Sequence, residues 1–420
     1  MERFLTGVNY WPRRSAMYMW ERFDLGEIRE DAARIRALGL DVVRFFLSWE
    51  AFQPAPDRMD EVALDRLLAV MDAFAQAGLR AMPTLFSGHM SGVNWLPAWA
   101  LDPATPHGRF RTIAGGHESP YGVGDIYADD GLLAAQELFA RTVGARLRGH
   151  PALYLWDLGN EFSNIREPKT PQDAARWSLR LTQALLDSSG AGATGGIHGE
   201  DLERFRGILP SSIAAPWQVA SMHGYPVYSA FSRGRLDAEV VPYLSDLAHA
   251  CTQKRVLFTE FGNPTCPPAT ESPYDRVPLP GDASCHPEER PLRHGSGQAP
   301  GASRRTASFA CLTEREMATY ATTVLDKLQR SGALGAFWWC WADYAAEIAH
   351  LPPFDNAPHE LTFGIVRNDG SEKPVADALK AFAAEQRPVV DPPAPIVAEP
   401  EYYNNLPESI AHHYAEYCRR

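Results

Sequence analysis

Residues 152–162 read ALYLWDLGNEF and residues 255–262 read RVLFTEFG, and these two stretches decide the fold. Each begins with a short, continuous apolar run and reaches a carboxylate near its end, Glu161 in the first and Glu260 in the second. Continuous apolar runs of this length are typical of parallel strands that are buried on both faces. We therefore predict a parallel sheet with acidic side chains at the carboxyl ends of two of its strands.

The same alternation of apolar runs and helical periodicity extends outward over most of the chain. The predicted strands cover residues 4–9, 41–47, 80–85, 152–158, 193–198, 218–223, 255–260 and 335–341, and 193–198 has the weakest pattern. The predicted helices cover residues 24–38, 61–77, 132–147, 171–188, 236–250, 312–330 and 373–384. This succession predicts the α/β class and a closed (β/α)8 TIM barrel, whose active site would form at the carboxyl ends of the strands.

Three segments fall outside the predicted repeats. Residues 86–129, after the third strand, and the Pro/Gly-rich residues 263–308, after the seventh strand, are predicted to be long loops, the second a mobile insertion. The catalytic barrel would occupy residues 1–387, and residues 388–420 read as an extended tail. That tail ends in a short helix that we expect to dock on the barrel through Leu406, Ile410, Tyr414 and Tyr417.

Composition narrows the class of protein. The 420 residues are 45% hydrophobic and carry a formal net charge of -12, which argues against nucleic acid or an anionic membrane as the main partner. The opening MERFLTGVNYW lacks the features of a signal peptide, and no apolar run approaches the roughly 20 residues that a membrane span requires. The six cysteines contain no C-x-x-C pair. We expect a cytoplasmic protein with reduced cysteines, no metal and no cofactor.

Polar side chains accumulate just past the predicted strands. A single charged residue there can simply mark where a strand meets water, but a whole set at one rim of a barrel would converge and need polar partners. The simplest partners for these side chains are the other members of the set and a polyhydroxyl ligand. The set consists of Arg44, His89, Asn160, Glu161, His223, Tyr225 and Glu260, with the aromatic run FWWCW at residues 337–341.

Two carboxylates at a barrel mouth suit the cleavage of a glycosidic bond. One must donate a proton to the leaving oxygen, and the other must be ionised to attack the anomeric carbon. Arg44 and Tyr225 are predicted to keep one carboxylate charged, while a less charged pocket keeps the other protonated. Alternate side chains of a strand face the same way, so Trp339 and Trp341 are predicted to line the site, and Trp338 to pack in the core.

These residues resemble the pattern of clan A glycoside hydrolases, most closely that of glycoside hydrolase family 5. The resemblance covers residues 5–384 and implies that Glu161 is the acid/base, that Glu260 is the nucleophile and that Asn160 binds the sugar 2-hydroxyl. It also implies that the −1 subsite is lined by His89, His223 and Trp339. The chain departs from the pattern at Phe162, where many relatives have proline, and its opening GVNYWP is also similar to family 42 β-galactosidases.

Several alternatives stay open at the level of substrate and class. The pattern favours a retaining β-glycosidase acting as an exo-enzyme on short β-mannosides, β-glucosides or β-galactosides, with an endo-acting β-mannanase or β-glucanase as the alternative. The candidates for selecting the sugar are Asn9, Tyr10 and Trp11 after the first strand, and Trp49 and Glu50 after the second. A metal-dependent sugar isomerase or epimerase would use the same glutamates and histidines as ligands. The remaining alternative is a sugar-binding protein without catalytic activity. The sequence does not indicate the oligomeric state.

Overall fold

The computed structural model of the protein describes residues 2–266 and 311–419. Its central sheet has eight parallel strands, which we number β1 to β8: Leu5–Tyr10, Val42–Phe46, Arg80–Thr84, Trp156–Asp157, Ala193–Thr194, Ala220–His223, Val256–Phe261 and Gly335–Trp338. They pair in the order β5-β4-β3-β2-β1-β8-β7-β6. The ring continues between β5 and β6, where the Gln218 amide donates to the Ala193 carbonyl at 2.9 Å. The predicted (β/α)8 barrel is therefore confirmed.

Helices surround this barrel, and side-chain caps fix where several of them begin. The longer helices are Leu25–Ala37, Glu61–Gln76, Asp130–Arg146, Pro171–Ser189, Val240–Thr252, Glu314–Arg330 and Pro374–Ala384. Asp24, Asp60 and Asp129 each accept a hydrogen bond from an amide in the first turn of the helix that follows. Only the short helices Gly199–Glu203 and Pro210–Ile213 lie between β5 and β6.

The interior of the barrel is packed at the end opposite the carboxyl ends of the strands. Side chains from the beginnings of the strands meet there in one apolar cluster: Leu5, Val42, Met82, Leu155, Leu257, Leu334 and Phe337. Gly7 of β1 makes room for this cluster, because a Cβ atom at that position would overlap the Phe337 ring. This plug leaves the carboxyl ends of the strands as the open end of the barrel.

The segment after β3 differs from the predicted long loop. It contains a four-stranded sheet formed by His89–Met90, Val93–Trp95, Arg111–Ala114 and His117–Ser119, and a separate pair formed by Leu101–Pro106 and Tyr121–Val123. These strands have two to six residues and lie between glycine-rich turns, so they are too short to give a periodic sequence signal. The segment is a small β-subdomain that stands over the open end of the barrel.

The predicted insertion at residues 263–308 falls largely outside the described residues. At its borders Cys266 and Cys311 form a disulfide, whereas Cys251, Cys340 and Cys418 are free thiols. The expectation that the cysteines are reduced is therefore wrong for this pair, because cysteine spacing alone does not show which thiols the fold brings together.

The tail continues past the barrel and folds back on it. After an extended stretch it forms the helices Glu399–Asn404 and Glu408–Tyr417. Tyr414 packs against Phe231 and Tyr243, with ring centroids 4.9 and 5.0 Å apart, and its hydroxyl donates to Asp237 at 2.7 Å. In the described part of the chain, no helix combines the length and hydropathy needed to cross a bilayer.

Candidate active site

A cavity of about 500 Å³ opens at the carboxyl ends of the barrel strands. Each side chain that lines it is placed by the end of a strand or by the loop that follows. The sequence-predicted residues that lie together in this cavity are His89, Asn160, Glu161, His223, Tyr225, Glu260 and Trp339. The volume is in the range of pockets that hold small ligands.

Arg44 of β2 lies directly beneath the cavity and is fully buried. Its guanidinium donates to Asp157 at 2.8 Å, to Glu260 at 2.5 Å, to Asn160 at 2.8 Å and to Asn9 at 2.9 Å. Burial lowers the pKa of Arg44, but the two carboxylates outweigh it and raise the pKa above its ordinary value. One buried cation thus pairs with two buried carboxylates and orients two side-chain amides. Asn9 belongs to this supporting layer and does not line the cavity.

Glu260 is held by donors on both carboxylate oxygens. Oε1 accepts from Arg44, and Oε2 accepts from the Tyr225 hydroxyl at 2.8 Å. Burial and the neighbouring Glu260 carboxylate raise the pKa of Tyr225 well above its ordinary value, so this phenol remains a donor. Donation to both oxygens fixes the orientation of the Glu260 carboxylate at the cavity.

Glu161 has a different environment, dominated by histidines. It sits in the left-handed region with φ 46°, and Oε2 accepts from Asn164 at 2.9 Å while Oε1 lies 3.3 Å from His223 Nδ1. Burial raises the pKa of Glu161, but His198 and His223 outweigh burial and bring this pKa below its usual range. The sequence predicted a less charged pocket that keeps the Glu161 carboxyl protonated. In the structure the neighbouring histidines instead favour its ionised form.

His89 completes the wall beside Glu161. Its Nδ1 pairs with Asn94 Oδ1 at 2.8 Å, and its Nε2 lies 3.9 Å from Glu161 Oε2. Burial lowers the pKa of His89 to about 4, and the imidazole is therefore neutral near pH 7. A neutral ring at this position can donate or accept a hydrogen bond without adding charge to the site.

The two glutamates face each other across a short gap. Glu161, Glu260 and His223 each place a polar atom within 4.8 Å of the others. Retaining glycosidases place their carboxyl groups about 5–5.5 Å apart, whereas inverting enzymes need about 6.5–9.5 Å to admit a water molecule. The separation fits direct attack by one carboxylate and is shorter than the spacing that inverting enzymes use.

The same three groups form the only cluster in the described residues with the geometry of a metal site. Both oxygens of Glu260 are already occupied by donors, and one of those donors is the cationic guanidinium of Arg44. A divalent cation would have to displace these donors and approach a fixed positive charge. The donor set therefore fits a metal poorly.

Contacts between loops close the cavity on two sides. Glu360, in the loop after β8, accepts from Ser91 Oγ at 2.9 Å and from the Tyr228 hydroxyl at 3.1 Å. Arg109 of the β-subdomain forms an ion pair with Glu200, after β5, at 2.8 Å. The loops after β3, β6 and β8 thus meet at one buried carboxylate, and those after β3 and β5 meet at an ion pair. The result is a pocket rather than an open groove.

Comparison with solved structures finds the same fold in sugar-cleaving enzymes. The exo-beta-1,4-mannosidase from Opitutaceae bacterium strain TAV5 is 25% identical with a TM-score of 0.68, over 91% of this chain and 60% of that one. The GH5_18 structure from Streptomyces cattleya in complex with GlcNAc is 22% identical with a TM-score of 0.69, over 93% of this chain and 82% of that one. The chain has the fold of the family 5 glycoside hydrolases. This confirms the resemblance to clan A, family 5 that the sequence indicated.

A third family 5 structure belongs to the same group. It is a variant of GH5_18 from Bifidobacterium longum subsp. longum in complex with Manβ1-4GlcNAc, 18% identical with a TM-score of 0.69, over 92% of this chain and 80% of that one. No family model matches the chain. No curated protein matches it either.

The three tryptophans at and after β8 separate into two groups. Trp339 lines the cavity, and Trp338 is buried in the core with its Nε1 donating to the Phe363 carbonyl at 3.0 Å. Trp341 is fully buried, packs against the Arg34 guanidinium and does not line the cavity. The prediction that Trp341 forms part of the sugar platform is wrong, because β8 ends at Trp338 and strand alternation does not extend past it.

The residues after β2 also lie away from the catalytic cavity. They begin a helical turn, Trp49–Phe52, that directs them outward from the barrel axis. Trp49 is buried against Phe86, and its Nε1 donates to Gln53 at 2.7 Å. Glu50 accepts from the Gly115 amide at 2.7 Å and lines a separate cavity. The prediction that Trp49 and Glu50 select the sugar in the catalytic cavity is therefore wrong.

Among the cavity residues that the sequence did not single out, His198 and Glu360 make the contacts that matter most to the site. His198 lies at the end of the predicted fifth strand, so its position at the rim was the signal that could have identified it. It is buried and contacts Ser163 and Arg206, and it acts on the charge of Glu161. Glu360 follows no apolar run, and the sequence offered no signal for it.

Proposed function

We propose that the protein is a retaining β-glycosidase that works by double displacement. The observation that carries this proposal is the pair of glutamates within 4.8 Å, with Glu260 held between Arg44 and Tyr225. Glu260 attacks the anomeric carbon while the bond to the glycosidic oxygen breaks and Glu161 protonates that oxygen. In the second step Glu161 takes a proton from water, which attacks the same carbon and releases Glu260.

Glu161 supplies the proton for the first step, and the His223 imidazole lies beside it. Glu161 Oε1 and His223 Nδ1 lie 3.3 Å apart, so they can share a proton between them. His198 and His223 lower the pKa of Glu161, and binding of a sugar adds further burial, which raises this pKa. The bound substrate thus favours the protonated acid at the moment that the leaving oxygen needs it.

For the substrate, we propose exo action on short β-mannosides, with β-glucosides and β-galactosides next in order. The contacts of Glu360 and the Arg109–Glu200 ion pair shorten the cleft to a pocket, which supports release of single sugars from a chain end. Among the solved neighbours, one is an exo-beta-1,4-mannosidase, and others were solved with Manβ1-4GlcNAc. A pocket shaped for an endo-mannanase or endo-glucanase would instead need room on both sides of the glutamates.

Asn160 is positioned to contact the sugar 2-hydroxyl. Its Oδ1 accepts from Arg44, and its Nδ2 donates to the His89 carbonyl at 2.7 Å. An amide nitrogen carries two hydrogens, so one donor remains for a substrate hydroxyl. This hydroxyl distinguishes mannose from glucose, and Asn160 is therefore part of the proposed basis for sugar selection.

A panel of 4-nitrophenyl glycosides tests the proposal. We expect hydrolysis of the β-mannoside, no hydrolysis of the α-mannoside, and no effect of EDTA. Proton NMR of the first product should show the β-anomer, because two displacements retain configuration. Activity that EDTA abolishes and a divalent metal restores would instead indicate the isomerase or epimerase class. Faster release of internal fragments than of mannose from a β-mannan would contradict the exo mode.

Location in the cytoplasm remains a prediction from the sequence.

A further inference from the structure

Glu360 closes one end of the catalytic cavity, and the proposed catalytic steps do not use it. It lies in the loop after β8 and lines the cavity, where 8% of its side chain remains accessible. The other contact that closes the cavity joins Arg109 and Glu200, whose side chains are 67% and 26% accessible. The cavity therefore has a buried end at Glu360 and a solvent-facing end at the Arg109–Glu200 ion pair.

The buried end of the cavity lies on the side of the nucleophile. The Tyr228 hydroxyl donates to Glu360 at 3.1 Å, and the Tyr228 ring meets the Tyr225 ring edge to face with centroids 5.5 Å apart. The Tyr225 hydroxyl in turn donates to Glu260 at 2.8 Å. Two tyrosines thus connect Glu360 to the carboxylate that attacks the sugar ring in the proposed mechanism.

The solvent-facing end of the cavity lies on the side of the acid. His198 acts on the charge of Glu161, and Glu200 lies two residues after His198 in the chain. Because the acid protonates the leaving oxygen, the leaving group lies toward this end. The sugar that Glu260 attacks therefore lies toward Glu360, and in an exo-acting enzyme it is the last sugar of the chain.

Glu360 is an ionised carboxylate that can accept a further hydrogen bond. Burial raises its pKa, but contacts with His359, Ser91 and Tyr228 outweigh burial and bring this pKa below its ordinary value. Oε1 accepts from Tyr228 and lies 3.5 Å from His359 Nε2, whereas Oε2 accepts from Ser91 at 2.9 Å. A carboxylate offers about four acceptor positions, and side chains in the described part of the protein occupy three of them. One position at Oε2 thus remains for a donor on a ligand.

The charge at the buried end of the cavity disfavours an anionic sugar. Among residues 2–266 and 311–419, Arg109 is the one arginine or lysine that lines the cavity, and it already pairs with Glu200 at the other end. A phosphate or carboxylate group on the bound sugar would therefore meet Glu360 with neither an arginine nor a lysine of the lining beside it. Like charges that are brought together in a binding site are strongly unfavourable.

We propose that Glu360 recognises the end of the sugar chain by accepting a hydrogen bond from a hydroxyl of the last sugar that is remote from the cleaved bond. This role rests on the retaining β-glycosidase activity proposed above. An unmodified hexose supplies the hydroxyl donor, and a hydrogen bond to a charged acceptor is stronger than one to a neutral group. A uronic acid, a phosphorylated sugar or a further sugar attached at that hydroxyl would not fit. Glu360 thus restricts the substrate to chains that end in a neutral hexose.

A series of deoxy sugars tests this contact in the full-length protein. The substrates are the 4-nitrophenyl β-hexoside that the enzyme hydrolyses fastest and its 3-, 4- and 6-deoxy derivatives, each assayed with the wild type and with the Glu360→Gln variant. A substitution that only disturbs the wall of the pocket lowers kcat/KM by the same factor for all four substrates. We expect this factor to be smaller by about tenfold or more for one deoxy sugar, because that sugar lacks the hydroxyl that Glu360 binds.

The Tyr228→Phe variant is the matched control. It removes a donor to Glu360 but keeps the aromatic ring and the carboxylate, so it should lower kcat/KM by the same factor for all four substrates. Thermal unfolding of both variants checks that the fold is retained. Equal factors for all four substrates in the Glu360→Gln variant would overturn the proposal.

The wild type supplies a second measurement that does not depend on any variant. We expect kcat/KM for the corresponding 4-nitrophenyl β-hexuronide, which carries a carboxylate at C6, to be at least about tenfold lower than for the hexoside. Equal values for the two substrates would also overturn the proposal. Failure of the wild type to hydrolyse any β-hexoside would instead refute the glycosidase activity on which the role of Glu360 depends.

Discussion

The proposed role of Glu161 makes a prediction that depends on the leaving group. In the Glu161→Gln variant the amide can still accept from Asn164 and donate to His223, so the geometry at 2.9 and 3.3 Å can be preserved. What is lost is the ability to donate a proton to the leaving oxygen. The variant thus separates proton transfer from positioning.

The size of the loss follows from what else lies near the leaving oxygen. Glu260 is engaged by Arg44 and Tyr225 and is the nucleophile of the proposed mechanism, and burial keeps His89 neutral near pH 7. Neither group can replace Glu161 as the acid. We expect kcat/KM for a β-mannoside with a poor leaving group to fall by about 10²–10⁴-fold, the usual contribution of general acid catalysis. This loss corresponds to about 3–5 kcal/mol of activation free energy.

The assay compares two substrates that differ only in the leaving group. A 2,4-dinitrophenyl β-mannoside needs little protonation, so its kcat/KM should change by less than about tenfold in the Glu161→Gln variant. Methyl β-mannoside or β-1,4-mannobiose should show the full loss. Glu360→Gln is a matched control, because it neutralises another buried carboxylate of the same cavity that does not reach the leaving oxygen in the proposed mechanism. Equal losses on both substrates in the Glu161 variant would refute its role as the acid.

Three further predictions follow from the same geometry. The Glu260→Ala variant should lose turnover, and azide should restore some of it as the α-glycosyl azide; near-wild-type activity would contradict its role as nucleophile. The His198→Asn variant removes a side chain that lowers the pKa of Glu161, so this pKa rises, the acid stays protonated to higher pH, and the high-pH limb of kcat/KM should move upward; a downward shift would contradict this reasoning. The Glu360→Gln variant weakens the charged hydrogen bonds that shape the pocket. Its kcat/KM should therefore fall by about 10–150-fold, and by the same factor for every leaving group on one sugar. A loss confined to poor leaving groups would refute this.

The sequence predicted the barrel and the residues at its strand ends for a physical reason. A strand that is buried on both faces must be apolar throughout, and the first polar residues after it mark its carboxyl end. Asn160, Glu161 and Glu260 were located in this way, and the closed ring of strands then brings them to the same place. The order of strands along the chain was sufficient for this step.

Side-chain direction beyond the strand ends was not predictable in the same way. Strand alternation placed Trp341 beside Trp339, but β8 ends before either residue. The helical turn after β2 carries Glu50 to a separate cavity, and the contacts of Glu360 depend on loops that approach each other only in the folded chain. Local periodicity describes regular elements, whereas these positions are set by loop geometry and by long-range contacts.

Arg44 shows why fold and candidate site were nevertheless predicted together. Its four partners come from the ends of β1, β4 and β7, so the network forms only when the barrel closes in the correct register. Removing the guanidinium would leave Asp157 and Glu260 as buried carboxylates without their cation, at a cost of about 3–5 kcal/mol. The cation that holds Glu260 in place for the proposed attack also stabilises the interior of the barrel. The apolar strands and the buried Arg44 are therefore both needed for the barrel to close in the correct register.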